Sequence, residues 1–174
     1  MTNVTNETTN DSLTHFSEKG RARMVNVAEK TSTARSATAS GILYMQPETL
    51  KRIRTHEVGK GNVLAVADVA AVMAAKKTSD TIPMCHPIGL SGVSVEFSDV
   101  HENQKVGIRA KITVHCSGQT GVEMEALCAV SAALLTIYDM CKSMDRGMNI
   151  GKMGLLEKIG GKSGHFLQTE TEME

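Results

Sequence analysis

The chain contains no tryptophan, only two tyrosines and three phenylalanines, too few aromatic faces to build the stacking platforms on which proteins hold single-stranded nucleic acid. Ala, Val, Leu, Ile and the 11 methionines must therefore fill its core. An excess of charge of either sign is also missing. Lys plus Arg and Asp plus Glu each total 19 in 174 residues, so no overall field draws the chain to nucleic acid or an anionic membrane, and an anion must be caught by local basic groups. The four cysteines, Cys85, Cys116, Cys128 and Cys141, form no CxxC pair or closely spaced framework, which points to a reducing cytosol. Residues 1–10 are rich in Thr and Asn and lack the basic and apolar parts of a signal peptide. No apolar run reads as long and uninterrupted enough to span a bilayer. A soluble cytoplasmic protein is expected.

The length suits one domain with a sizeable core. Residues 1–20 and 169–174 are polar and aperiodic and are expected to be disordered tails around a single domain over 21–168. Between them, 38–45 reads as a strand, 48–56 as a helix started by Pro47, and 63–77 as an Ala- and Val-rich helix with Asn62 as N-cap. That second helix is apolar around nearly its whole circumference, which predicts burial on two sides. Val93, Val95 and Phe97, then Val106, Ile108, Ala110, Ile112, Val114 and Cys116, alternate with polar residues on either side of a polar turn at 101–104. This is an antiparallel hairpin with one solvated face. A long helix over 122–144 and a last strand within 148–159 complete the order β-α-α-β-β-α-β. The split βαβ pattern predicts an α+β, ferredoxin-like sandwich with an antiparallel sheet and the helices on one face.

Chemistry-bearing residues punctuate this framework. Pro87 holds His86 extended at the mouth of a strand, a position suited to a functional histidine and equally to an ordinary loop histidine. Cys85 beside it reads best as a small buried hydrophobe. Lys60, between Gly59 and Gly61 before a helix N-terminus, can present an ammonium beside free backbone N–H groups or stand solvated. Asp139 and Lys142 end a helix whose preceding turns are apolar, so water can be partly excluded there and each can tune the other's pKa; exposed, they would be a plain i,i+3 ion pair. Glu123 and Glu125 stand in the first turn of the same helix, where the macrodipole favours carboxylates. Glu125 and Asp139 are separated by 14 positions, about 21 Å along a straight helix, too far for one substrate-sized site in one subunit.

The run Gly160-Gly161-Lys162-Ser163-Gly164 is not a Walker A loop, because Leu156 stands where the first glycine is required and no amphipathic helix follows. It is expected to be a mobile flap offering Lys162 and Ser163 to phosphate oxygens. Cys85 and His86 have no second close ligand pair, so no zinc site is expected.

Together the stretches KGNVLAVADVAAVMAAKKTSDTIPMCHPI, GQTGVEMEALCAVSAALLTIYDMCK and GGKSG resemble the MoaC family over about residues 24–164. These are the cyclic pyranopterin monophosphate synthases of molybdenum cofactor biosynthesis. The resemblance implies conversion of (8S)-3',8-cyclo-7,8-dihydroguanosine 5'-triphosphate to cyclic pyranopterin monophosphate and diphosphate. It assigns catalytic roles to Asp139, Lys142 and Lys60, and substrate contacts to Met84, Cys85, His86, Met124 and Glu125, with Glu123 beside them. Arg35 matches a phosphate-binding position. Asn62 and Gln119 stand where an Asp and a Lys are associated with relatives.

The family reading also implies a homo-oligomer, a hexamer built as three dimers; no redox cofactor is needed, and on composition, charge and ligand spacing no metal, nucleic acid or membrane partner is expected. Ring opening by water and reclosure as a pterin need repeated proton transfers, which His, Lys and Asp can perform. Closing a cyclic phosphate with loss of diphosphate calls for cations that neutralise developing oxygen charge. The rival from another class is a pterin- or nucleotide-binding sensor that keeps the fold without turnover.

Overall fold

The computed structural model describes residues 20–168 except 60 and 103. Lys60 and nearly all of both expected tails therefore lie outside the described residues. The elements run β1 (Thr33–Met45), α1 (Pro47–Arg54), α2 (Val63–Lys76), α3 (Thr78–Thr81), β2 (Leu90–Glu102), β3 (Lys105–Gly118), α4 (Glu123–Cys141), β4 (Asn149–Ile159) and β5 (Phe166–Leu167). Their sheet order is β2-β3-β1-β4-β5, with every neighbouring pair antiparallel. This is the ferredoxin-like α+β arrangement expected from the element order.

The alternation read in the sequence is the core. Ile108, Ala110, Ile112 and Val114 point one way from β3 and are fully buried, as are Ala126, Ala129, Val130, Ala133, Leu134 and Ile137 on α4. Gly41 shows how close α4 lies to the sheet: a Cβ there would stand 2.9 Å from Leu134 Cδ1 and 3.0 Å from Val130 Cγ1. α4 is long and apolar enough by composition to cross a membrane, contrary to the reading of the apolar runs, but it packs against β1, β3 and β4 as a core helix.

α2 packs on α4 and β2, burying the stripe Val63, Ala67, Ala71 and Ala75. Its other side is not covered as expected. Val66, Val69 and Met73 remain exposed, Val69 by 64%, because the described elements that pack on this helix, chiefly α4 and β2, lie against its Val63–Ala75 stripe.

Pairing register fixes two ends of the molecule. β1 starts opposite Gly118 and finishes opposite Val106, while β2 starts opposite Cys116. The start of β1, the end of α2, the start of α4 and the end of β4, where Ile159 pairs with Ser36, thus share one end. The start of α2, the end of α4 and the start of β4, where Asn149 pairs with Tyr44, share the other. Asp145 clamps this second end. Its buried carboxylate accepts from Gln46 N at 2.8 Å, Thr49 Oγ1 at 3.2 Å and Gly147 N at 3.2 Å, fastening the turn after α4 to the N-terminus of α1.

Several bounds differ from the sequence reading. β1 begins at Thr33, five residues early, α4 stops at Cys141, and the short α3 and β5 are additional. β5 turns residues 160–164 into the connection of a β4–β5 hairpin.

Candidate functional site

At the first end, a cavity of about 600 Å3 is lined by Lys30, Arg35, Glu123, Lys158, Lys162 and Ser163, among others. It shares Lys30, Thr120, Gly121 and Glu123 with a second cavity of about 290 Å3, whose wall adds Met84, Cys85, His86, Met124 and Glu125. The two form one cleft, basic on one side and carrying His86 and Glu125 on the other. The loop before β2, the first turn of α4 and the β4–β5 turn bring these residues together because all three lie at the same end of the sheet.

Arg35, on β1, is held by the loop after β3: Nε donates to Gly118 O at 2.9 Å and Nη2 to Gln119 O at 3.2 Å. Gln119 carries no charge into the cleft, and its Nε2 donates to Ala28 O at 3.4 Å. Lys158 Nζ donates to Gly160 O at 3.4 Å and to Ser163 Oγ, tying the last full strand to the turn that carries Lys162.

His86 Nε2 stands 2.8 Å from Val25 O. A carbonyl oxygen only accepts, so Nε2 carries the hydrogen and donates to it. Burial, with the charges of Glu125 and Cys128 adding to it, pushes the Cys85 thiol up. Cys85 is thus a neutral thiol, and a nucleophilic role finds no support.

Glu125 is only 3% exposed. Burial raises its pKa above the ordinary carboxylate value, a backbone hydrogen bond opposes this, and the nearby Glu123 charge adds to it. Glu125 therefore holds its proton more readily than an ordinary carboxylate, and when protonated it can donate as well as accept. Glu123 owes its position to a missing side chain: a Cβ on Gly121 would fall 1.9 Å from Glu123 Oε2.

The remaining candidates lie at the opposite end. Lys142 Nζ is 2.6 Å from Asp139 Oδ1, with side-chain exposures of 54% and 60%. The expected partial exclusion of water is not found among the described residues, since both side chains stand more than half exposed. The Asp139 hydrogen bond, then its charge, raises the Lys142 pKa, so Lys142 is an ammonium at neutral pH. Lys60 lies outside the described residues. Next to it Gly61 has φ +94°, and Asn62 caps α2 as expected, its Oδ1 accepting from Ala65 N at 3.1 Å.

Two basic cleft residues were not singled out from the sequence. Lys158 has a usable signal, a cation two positions before the Gly-Gly turn; Lys30 sits in an aperiodic stretch and has none. Among the described residues, no group of three or more His, Cys, Asp or Glu side chains is placed to hold a metal ion.

The MoaC family model matches residues 24–161. The chain is 55% identical over 158 residues to the cyclic pyranopterin monophosphate synthase of Desulfitobacterium hafniense, covering 91% of this chain and 95% of that one. It is 51% identical over 160 residues to the protein of that name from Bacillus subtilis, covering 92% and 94%. The protein of that name from Limosilactobacillus fermentum is 57% identical over 156 residues, covering 90% and 93%. With the family model spanning most of its length, and with relatives of this identity aligned nearly end to end, the chain belongs to the MoaC family.

Proposed function

We propose that the chain is a lyase of molybdenum cofactor biosynthesis. It converts (8S)-3',8-cyclo-7,8-dihydroguanosine 5'-triphosphate to cyclic pyranopterin monophosphate and releases diphosphate. The observation that carries this reading is the continuity of the cleft: Lys30, Arg35, Lys158 and Lys162 line one cavity and His86 and Glu125 the one it opens into. A triphosphate needs the first and a ring system undergoing proton transfer needs the second.

In this reading the basic cavity holds the phosphates, with Arg35 as the planar donor and the lysines as point charges. His86 Nδ1 accepts a proton as water adds during opening of the five-membered ring, and protonated Glu125 returns one during reclosure. Attack of the sugar-derived hydroxyl on the α-phosphorus forms the new P–O bond as the bond to diphosphate breaks. Asp139 takes the hydroxyl proton, while the Lys142 and Lys60 ammonium groups offset charge on the phosphate oxygens. Met84, Cys85, Met124 and Glu123 shape the wall around the ring system, and the 160–164 turn is a flap that orders over the triphosphate. No metal or redox cofactor enters the scheme.

The two ends of the fold make a second copy part of the proposal. Asp139 and Lys142 end α4 while Glu125 stands in its first turn, so the complete site is shared between copies, one presenting the start of its helix and the other the end. The exposed Val66, Val69 and Met73 stripe on α2 gives a neighbouring chain an apolar surface to cover. A homohexamer of three dimers in the cytoplasm is the assembly put forward.

The test is incubation of the full chain with the cyclic triphosphate, followed by chromatography for diphosphate and a pterin. Both products are expected in equal amounts. Tight binding without either product would replace the lyase with a non-catalytic pterin- or nucleotide-binding sensor.

A further inference from the structure

The three glycines at positive φ in the β4–β5 turn are there for different physical reasons. Gly160, at φ +96°, cannot carry a Cβ because it would stand 2.5 Å from the backbone oxygen of Ala34. Gly164, at φ +66°, has open space: nothing lies within 4 Å of where its Cβ would be. Gly161, at φ +75°, faces a side chain, since a Cβ there would fall 2.1 Å from Arg35 Nη1 and 3.0 Å from Cζ.

The guanidinium is the soft partner in that collision. Arg35 has five N–H donors in a rigid fork. One on Nε and one on Nη2 are committed to the carbonyls of Gly118 and Gln119, and both Arg35 and Gly161 line the basic cavity. A methyl group on Gly161 would move the end of a flexible side chain rather than the backbone, leaving the fold in place while turning the fork away.

We propose that Gly161 is a positioning residue for Arg35, its missing side chain letting the guanidinium lie against the turn with its uncommitted N–H groups aimed at the phosphates of an anionic ligand. This deepens the proposed function and rests on its reading of the basic cavity as a phosphate site. The Gly-Gly pair then has a duty beyond flexibility: Gly160 lets the turn approach β1, and Gly161 leaves room for the cation. A chain held at φ +75° can bear Asn at modest cost, so the collision with Arg35, more than the backbone conformation, makes glycine necessary here.

The experiment measures calorimetric binding of inorganic tripolyphosphate to the full chain, with thermal melting as the check on folding. Gly161→Ala is expected to weaken binding tenfold or more. Gly164→Ala, which places the same methyl group at a similar φ in the same turn with open space around it, reads backbone strain alone and is expected to weaken binding clearly less than Gly161→Ala does. Combining Gly161→Ala with Arg35→Ala should weaken binding no further than Arg35→Ala alone, because the two changes remove one interaction. Equal losses in the two glycine variants, or additive losses in the double variant, would overturn the proposal in favour of strain in the turn. Should Gly161→Ala fail to fold, Gly161→Asn carries the same collision with less backbone strain, and unchanged affinity in it would overturn the proposal too. Wild-type chain that binds no tripolyphosphate would remove the phosphate reading itself, and the positioning role with it.

Discussion

Lys142 Nζ lies 2.6 Å from Asp139 Oδ1, three residues back on the last turn of α4, with both side chains more than half exposed. A pair so open to water adds little to stability, which separates its contribution to catalysis from its contribution to folding. Asp139→Asn and Lys142→Ala are each expected to cut turnover by about 100-fold or more while the melting temperature stays at the wild-type value. A folded variant with near-normal turnover would return the pair to an ordinary surface contact.

The charge state of that pair gives a pH expectation. Asp139 raises the pKa of Lys142, so the ammonium form is favoured; its contribution is complete below the ordinary lysine value and is lost only as pH rises through the raised one. Turnover lost through Lys142 should therefore appear only above the usual lysine range, about pH 10.4. An alkaline limb near neutrality that vanishes in Lys142→Arg would contradict this assignment.

Glu125 works in the opposite direction. Its carboxyl is buried and its pKa raised, so between the unfolded value of about 4.3 and the raised folded value the native chain binds more protons than the unfolded one. Stability from this group falls as pH rises through that window. Glu125→Gln removes the titration, and its melting temperature should gain on wild type from pH 4 upward, levelling off above the folded pKa. A difference that stays flat with pH would show that Glu125 is solvated in solution.

Asp145 is a structural anchor with three donors converging on it. Asp145→Ala leaves the backbone N–H of Gln46, the Thr49 hydroxyl and the N–H of Gly147 without that acceptor, a loss on the order of 3 kcal/mol. Chemical denaturation should show it as a lower midpoint with an unchanged slope. A loss below about 0.5 kcal/mol, the range of ordinary surface substitutions, would mean water replaces the carboxylate freely.

The parts of this fold legible in the sequence are those that bury alternating apolar side chains. Ile108 to Val114 and the helical spacing of Val130, Leu134 and Ile137 announced their elements because each buries one face. Thr33 to Ala37 did not, because this end of β1 is held by its ladder to β3 and β4, and backbone pairing leaves no mark on hydrophobic pattern. α4 ended early because Met144 N and Asp145 N both turn back onto Cys141 O, a capping geometry with no glycine to signal it. In the cleft, His86, Glu125 and Lys162 stood out through their local motifs. Lys30 and Lys158 reach it by tertiary placement, and the approach of Gly161 to Arg35 depends on the β1–β4 register, which links residues far apart in the chain.

The proposed site is divided between the two ends of α4 and completed by a second copy, and subunit mixing tests this most directly. Glu125→Gln and Asp139→Asn chains, each inactive alone, would be combined, allowed to exchange subunits and assayed for diphosphate release. Mixed assemblies pair an intact helix start with an intact helix end at some sites, so activity should return to about one quarter of wild type if exchange is random and each site draws on two chains. No recovery after exchange has been verified by mass, or a fully active monomer in sedimentation, would contradict the shared site.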